Sequence, residues 1–286
     1  MCLSPVYLRE SKTFVPCGKC GECLKERGSE WRFRLMYQCK LSKLALWCTF
    51  TYADAQSLCK EHAQTLLRSF DDVFKPIRRI NGKRKRVKSV IMKYYLIGEY
   101  GTHTYRPHYH AILFFDKGED YHEDVDIGIN CISLIPLVAS KWSYGMVNIT
   151  QCNSRVVNYI CDTHLYLMND NLSVDPRLRY GLNANNEQTF RLFSKGLGKL
   201  PNGSIPMEDY RYIKEHRFYR FGQMKISIPK DWKDRFFNIK EKDQMRIYAL
   251  KQNVKWTDYD YPHYRQLQDS SMKNSIRSRI TKKTQL

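Results

Sequence analysis

The stretch YLIGEYGTHTYRPHYHAILFFD, from Tyr95 to Asp116, constrains the fold more than any other part of the chain. Its run AILFF is apolar at every position, which is typical of a strand covered on both faces. His108 and His110 precede this run, and side chains two residues apart on a strand project from the same face. We therefore predict a central strand that holds two imidazoles side by side. A lone histidine there would be interpreted as core packing, whereas a pair favours a metal site.

Composition and charge indicate the kind of partner. The chain has 286 residues, 42% of them hydrophobic, which is enough for a folded core with appendages. It carries 48 Lys+Arg against 29 Asp+Glu, a net charge of +19. A polyanion is the expected partner. We expect nucleic acid and no membrane, and a cytoplasmic location, because no apolar run has bilayer length and the start of the sequence has no signal-peptide pattern.

The segment VPCGKCGEC places Cys17, Cys20 and Cys23 at a C-x2-C-x2-C spacing. The glycines that follow the first two cysteines allow tight turns, which would let the thiolates converge on a Zn²⁺ ion. The alternative is a tight turn whose thiols stay free. A tetrahedral site needs a fourth ligand, and nothing in the sequence selects one among Cys2, Cys39 and Cys48.

A basic segment surrounds Asn81-Gly82, a dipeptide typical of hairpin turns. Seven neighbouring side chains are positive and repel one another, so we expect this hairpin to contact DNA rather than to be only a solvated loop. These residues are Arg78, Arg79, Lys83, Arg84, Lys85, Arg86 and Lys88.

Local patterns predict the remaining elements. We expect a basic amphipathic helix over residues 24–46, strands over 46–52 and 89–100, and a helix over 55–70. A short helix should end before Gly145, a strand should run through Ile149, and Ser154 should be the N-cap of the next helix. The predicted organisation is a Cys-rich N-terminal segment with its basic helix (1–45), a core (46–172) and a C-terminal extension (173–286) that packs on the core and ends in a mobile basic tail.

Four motifs follow one another along the chain: PCGKC with a third cysteine, TFTY, GEYG followed by RPHYHAILF, and FSKGLGKLP. Together they resemble the replication initiators of microviruses, gokushovirus-like single-stranded DNA phages, which are HUH endonucleases. RPHYH after GEYG is the specific part. The resemblance covers about residues 14–235. It implies an α+β fold with an antiparallel sheet flanked by helices, the histidine strand central, and a nucleophile helix packed across the sheet face.

The resemblance also implies an activity: nicking and rejoining of single-stranded DNA at an origin during rolling-circle replication. One divalent cation, Mn²⁺ or Mg²⁺, would be held by His108, His110 and Glu99. Glu99 lies on the preceding strand, where antiparallel pairing would bring it beside the histidines; its alternative role is a surface carboxylate paired with an arginine. A tyrosine would attack the phosphate and form a 5′-phosphotyrosine. A host polymerase and helicase are the further expected partners.

The family's nucleophile is a tyrosine in a Y-x-x-K pattern on the helix after the fourth strand, which Tyr159 matches by order. Asp162 stands where lysine is expected, a departure that would repel phosphate or bind the metal. Arg155 occupies the position of a second tyrosine in two-tyrosine members, so the chain resembles the one-tyrosine type. Tyr166 is a second candidate, and all these tyrosines have packing as the simpler alternative.

Two other functions compete with this one. The chain could be a non-enzymatic nucleic-acid-binding protein with a structural zinc site, in which Asp162 marks lost catalysis. A histidine-motif nucleotide hydrolase would need a histidine at the next alternate position, where Ile112 stands. In either nucleic-acid-binding case we expect Arg106 and Arg155 to join the basic hairpin in contacting DNA.

Overall fold

The computed structural model describes residues 2–10, 13–53, 58–101, 106–167, 189–199 and 205–244, the side chains of 163–167 excepted. The described residues form two compact units. The sheet unit holds those of 35–160 and 173–198, and the hairpin unit those of 1–34, 161–172 and 199–285. The predicted boundaries at residues 45 and 172 stay a prediction.

Strands and helices alternate along the chain. In chain order they are β1 (Val6–Leu8), β2 (Thr13–Val15), α1 (Gly21–Leu41), β3 (Leu44–Tyr52), α2 (Lys60–Arg68), α3 (Asp71–Phe74), β4 (Ile77–Ile80), β5 (Lys83–Arg86), β6 (Val90–Tyr100), β7 (Pro107–Lys117), α4 (Cys131–Ser140), β8 (Gly145–Gln151), α5 (Ser154–Leu167), β9 (Phe190–Phe193), α6 (Met207–His216), β10 (Phe218–Phe221), β11 (Met224–Ser227) and α7 (Lys230–Phe236).

The sheet unit is built on five antiparallel strands in the order β8-β3-β7-β6-β9. The histidine strand β7 is central, and the expected α+β class with helices flanking an antiparallel sheet is confirmed. One sheet face packs against α2, α3 and α4. Helix α2 contributes Ala63, Leu66 and Leu67, whose spacing forms a single apolar stripe.

Tyr109 shows how β7 is fixed from that packed face. It lies between the two histidines, so its side chain points to the opposite side of the sheet. There it is fully buried, and its hydroxyl donates to the carbonyl of Cys59 and contacts the hydroxyl of Tyr52. Because a buried hydroxyl needs such partners, these bonds fix the height of the strand that carries the histidines.

The hairpin unit has a core of aromatic rings. Phe33 of α1 is fully buried, and its ring meets those of Trp232 and Tyr219 edge-on at centroid distances of 4.8 and 6.1 Å. Tyr219 on β10 donates a hydrogen bond of 2.5 Å to the buried carboxylate of Asp209 on α6. Edge-to-face rings at these distances stabilise a small core beyond the area that they bury.

Most local predictions hold, and one is wrong. The predicted strands correspond to β3 and β6, and Asn81 and Gly82 form a turn with φ of 50° and 75° between β4 and β5, as a tight hairpin requires. Ser154 is not the N-cap of α5. The side chain of Asn153 accepts the backbone N–H groups of Arg155 and Val156 at 2.9 and 3.2 Å, because asparagine caps as well as serine.

Two further expectations concern what lies beyond these elements. The basic C-terminal tail lies outside the described residues. In the part of the chain that the structure describes, no helix combines the length and apolarity needed to cross a bilayer.

Candidate functional site

The pairing of β6 with β7 decides which side chains share a face. Glu99 lies directly opposite His108, and Ile97 opposite His110. Residues directly opposite on neighbouring strands point to the same side of the sheet, as do residues two apart on one strand. Glu99 and both histidines therefore project together from the face opposite the one that packs on α2, α3 and α4.

One carboxylate oxygen lies between the two imidazoles. Glu99 Oε1 is 3.2 Å from His108 Nε2 and 3.2 Å from His110 Nε2, and one ligand atom from each residue lies within 4.8 Å of the others. The Glu99 side chain is buried. Two imidazoles and a carboxylate form a three-ligand set that leaves coordination positions for substrate oxygens, as a catalytic divalent cation needs.

Both imidazoles are oriented from behind. His108 Nδ1 lies 3.0 Å from the carbonyl oxygen of Arg106, and His110 Nδ1 lies 3.0 Å from Thr49 Oγ1 on β3. With Nδ1 engaged in this way, each ring directs Nε2 towards Glu99. Such outer partners set the tautomer and ring plane of a metal-binding histidine.

The charges of the three residues depend on one another. Burial alone would raise the pKa of Glu99, but hydrogen bonds from the two histidines outweigh it and hold that pKa well below its usual range. Burial lowers the pKa of His110, and Glu99 offsets this in part. For His108, burial is outweighed by Glu99, and the pKa is raised. The site therefore keeps a charged carboxylate next to a neutral His110.

Tyr159 on α5 reaches this group. Its hydroxyl donates a hydrogen bond of 2.8 Å to Glu99 Oε1 and lies 3.3 Å from His110 Nε2. Its ring meets the His110 ring edge-on at 5.1 Å. The neighbouring Val157 and Ile160 are fully buried and anchor this turn of the helix. The structure thus brings together the four residues expected for metal binding and nucleophilic attack, with α5 on the metal-bearing face as expected.

The comparisons with known proteins cover this same region. Residues 45–166, which run from β3 through most of α5, match the family of the replication-associated protein ORF2. The site thus lies within a phage replication-protein match. The expected resemblance to phage replication initiators is confirmed.

Two curated relatives agree with the family match. The chain is 25% identical over 208 residues to the replication-associated protein VP4 of Bdellovibrio phage phiMH2K, covering 66% of this chain and 63% of the relative. It is 28% identical over 122 residues to the replication-associated protein ORF2 of Spiroplasma virus 4, covering 39% of this chain and 35% of the relative. The matched part is thus less than two thirds of the length of either relative. No solved structure matches the chain.

The aspartate that departs from the expected family pattern has its own partner. Asp162 is buried, and its Oδ1 lies 3.1 Å from the guanidinium of Arg32, another residue of the hairpin unit. Both side chains are less than a quarter exposed. The negative charge at the position of the expected lysine is therefore balanced by an arginine from α1. The side chain of Tyr166 lies outside the described set.

The N-terminal cysteines gather with a fourth. The sulfur atoms of Cys17, Cys20, Cys23 and Cys2 lie within 4.8 Å of one another, so this group could hold a metal ion. The other two fourth-ligand candidates lie elsewhere. Cys48 is buried on β3, while Cys39 Sγ is 3.9 Å from that of Cys152.

The basic residues expected to contact DNA differ in how much charge they present. Arg78 is half-buried and bonded to the carboxylate of Asp126 and the carbonyl of Asp120, and Arg86 is exposed, 3.3 Å from Asp72. The remaining seven are exposed: Arg79, Lys83, Arg84, Lys85, Lys88, Arg106 and Arg155.

Sequence reasoning named no role for two residues of β3 that contact the site. Thr49 bonds His110, and the indole of Trp47 stacks on the His110 ring at 4.9 Å and 14°. The TFTY motif was the signal for Thr49, but its register against β7 is a long-range property that the motif alone does not give.

Proposed function

We propose that the protein initiates rolling-circle replication by metal-dependent nicking of single-stranded DNA, with Tyr159 as nucleophile. The observation that carries this proposal is the position of the Tyr159 hydroxyl, 2.8 Å from Glu99 Oε1 and 3.3 Å from His110 Nε2. A tyrosine in contact with a two-histidine, one-carboxylate group is the arrangement that transesterification needs. The similarity to phage replication-associated proteins supports it.

The donor set fits one divalent cation. His108, His110 and Glu99 would hold Mn²⁺ or Mg²⁺, since a single carboxylate oxygen lies 3.2 Å from the Nε2 atom of each ring. When bound, the ion would supply Lewis-acid polarisation of the scissile phosphate. Neutral His110 keeps the Nε2 lone pair that ligation needs, and the buried Glu99 keeps its negative charge.

The protein groups then have distinct roles. The Tyr159 oxygen attacks phosphorus, its proton being directed at Glu99 Oε1, and the bond from phosphorus to the 3′ oxygen breaks. The phenol loses one proton and the departing 3′ oxygen gains one, so the products are a 5′-phosphotyrosine and a free 3′-OH. Because one phosphoester replaces another, the 3′-OH can attack the phosphotyrosine and reseal the strand without ATP.

The DNA partner follows from charge. Phosphate contacts by exposed lysines and arginines would supply most of the affinity for single-stranded DNA. We propose that the substrate is a replication origin, that a host polymerase extends the 3′-OH with a helicase opening the duplex, and that this takes place in the cytoplasm of a bacterial host. The phage origin of both relatives supports this setting.

The cysteine group we propose to be a structural Zn²⁺ site. Four sulfurs around zinc at ~2.3 Å in a tetrahedron are ~3.8 Å apart. Cys2 and Cys20 Sγ are 3.8 Å apart, and Cys17 and Cys23 Sγ 4.0 Å, about twice the length of a disulfide bond. Backbone N–H groups also point at the sulfurs, those of Cys17 and Cys20 at Cys2 and Cys17 Sγ with distances of 3.2 and 3.3 Å.

A covalent adduct tests the proposed nicking. The protein is incubated with Mn²⁺ and a pool of random-sequence single-stranded oligonucleotides, and trapped adducts are digested and mapped by mass spectrometry. We expect the adduct on Tyr159 and its loss in Tyr159→Phe, which removes the attacking oxygen and keeps the ring. Tyr210→Phe, a change of the same kind on α6, is the matched control.

Other outcomes overturn the proposal. An adduct that persists in Tyr159→Phe and is lost in Tyr166→Phe moves the nucleophile along α5. Binding of the pool without any adduct, under every divalent cation supplied, favours the non-enzymatic nucleic-acid-binding protein.

A further inference from the structure

Strand β3 places three side chains on the metal-bearing face. Thr49 pairs with His110, Trp47 with Ile112 and Thr51 with His108 in the β3–β7 register. Paired residues share a face, so β3 borders the site along the side where β6 does not. The first two of these side chains contact site residues directly.

Thr49 meets the rear nitrogen of His110. Its Oγ1 is 3.0 Å from Nδ1. An imidazole that binds a cation through Nε2 carries its proton on Nδ1, and that proton needs an acceptor. The corresponding acceptor for His108 is a backbone carbonyl, that of Arg106, which no side-chain change removes. His110 is therefore the ligand whose orientation depends on a side chain.

Trp47 contacts a proposed ligand and the proposed nucleophile at once. Its indole is stacked on the His110 ring at a centroid distance of 4.9 Å and an angle of 14°. It meets the Tyr159 ring edge-on at 5.9 Å and 82°. The hydrogen bond to Thr49 fixes the direction of the His110 ring, and the stacked indole fixes its plane. The same indole limits how far the Tyr159 ring can turn.

We propose that Thr49 and Trp47 are positioning residues of the nicking site. Thr49 holds His110 in the tautomer and direction that bind the cation, and Trp47 holds the His110 and Tyr159 rings at a fixed separation. This inference rests on the proposed function. Its rival is plain strand packing, since threonine and tryptophan are both common on strands. The tests therefore separate hydrogen bonding and stacking from shape.

The Thr49 test measures Mn²⁺ affinity by electron paramagnetic resonance, without DNA. Thr49→Val keeps the branched shape and loses the hydroxyl, and we expect its affinity to fall about 10- to 100-fold. Thr49→Ser keeps the hydroxyl and should restore most of the affinity. Thr49→Ala, measured alongside circular dichroism melting, gives the same comparison if the valine variant does not fold.

The outcomes separate the two hypotheses. Unchanged Mn²⁺ affinity in folded Thr49→Val and Thr49→Ala overturns the role of Thr49. If His110→Ala binds Mn²⁺ as tightly as the unchanged protein does, the proposed metal centre itself fails, whatever Thr49 does.

The Trp47 test divides rate from affinity. Trp47→Leu fills the space without a ring to stack, and we expect adduct formation to slow about 10- to 100-fold, as a small misplacement of reacting groups does. Affinity for single-stranded DNA should stay the same, and Trp47→Phe should recover part of the rate. An unchanged rate in Trp47→Leu contradicts the proposal. Loss of DNA affinity at an unchanged rate also contradicts it, because Trp47 would then stack on bases.

Discussion

At the scale of single residues, one oxygen atom joins metal binding to nucleophilic attack. Glu99 Oε1 accepts the Tyr159 hydroxyl at 2.8 Å and lies 3.2 Å from both histidine Nε2 atoms. Any change at Glu99 therefore acts on the ligand set and on the orientation of Tyr159 together. This coupling explains why a carboxylate is buried here, since burial without these partners would be costly.

Glu99→Gln should weaken Mn²⁺ binding more than about tenfold, since loss of a ligand charge should exceed the loss of an outer partner. Affinity for single-stranded DNA should change little, because it comes from phosphate contacts. Titration with Mn²⁺ by electron paramagnetic resonance and fluorescence anisotropy with labelled DNA measure the two. The control is Glu119→Gln, the same change at an exposed position. Equal Mn²⁺ affinity of both variants would remove Glu99 from the ligand set.

Asp162→Lys restores the residue expected from the family pattern, yet we expect it to destabilise the protein. The new ammonium would face Arg32, whose guanidinium now lies 3.1 Å from Asp162 Oδ1. Breaking a largely buried pair in this way costs about 3 kcal/mol in the free energy of unfolding. Urea denaturation of this variant and of Asp124→Lys, an exposed site, measures the difference. Equal stability would mean that the Arg32 pair contributes little.

At the scale of elements, strands were predictable and their partners were not. The apolar run after His110 and its flanking alternation identify β7, and its two-residue period places both histidines on one face. The register that aligns Thr49 with His110 depends on contacts between strands far apart in sequence. The fourth cysteine follows the same rule, because Cys2 and Cys20 meet only after the N-terminal segment has folded.

Removal of zinc should disturb the start of α1 and the N-terminal segment. Zinc ligation by Cys2, Cys17, Cys20 and Cys23 would contribute directly to folding of this segment. We expect about one zinc per chain by elemental analysis of the protein as purified, and a lower melting temperature after chelation. Cys2→Ser should lose zinc, while Cys131→Ser, outside the group, should keep it. Iron in place of zinc, or no metal at all, would contradict the assignment.

At the scale of the whole molecule, positive charge is the dominant property, and part of it is exposed on one hairpin. The chain has a net charge of +19, and every residue of β5 is exposed. Two arginines of this region already face carboxylates, Arg78 that of Asp126 and Arg86 that of Asp72. The charge left to attract an external polyanion there lies mainly on the other basic residues of the hairpin.

Neutralising four of those residues should therefore weaken DNA binding without changing its sequence preference. In Arg79→Gln, Lys83→Gln, Arg84→Gln and Lys85→Gln combined, each lost phosphate contact on a single strand lowers the salt slope by about 0.7, so the slope should fall by at most about 3. The affinities for two oligonucleotides of equal length and unrelated sequence, measured by anisotropy from low to high salt, should fall by the same factor. A change in the ratio of the two affinities at an unchanged slope would show that the hairpin contacts bases, because base contacts discriminate sequences while phosphate contacts do not.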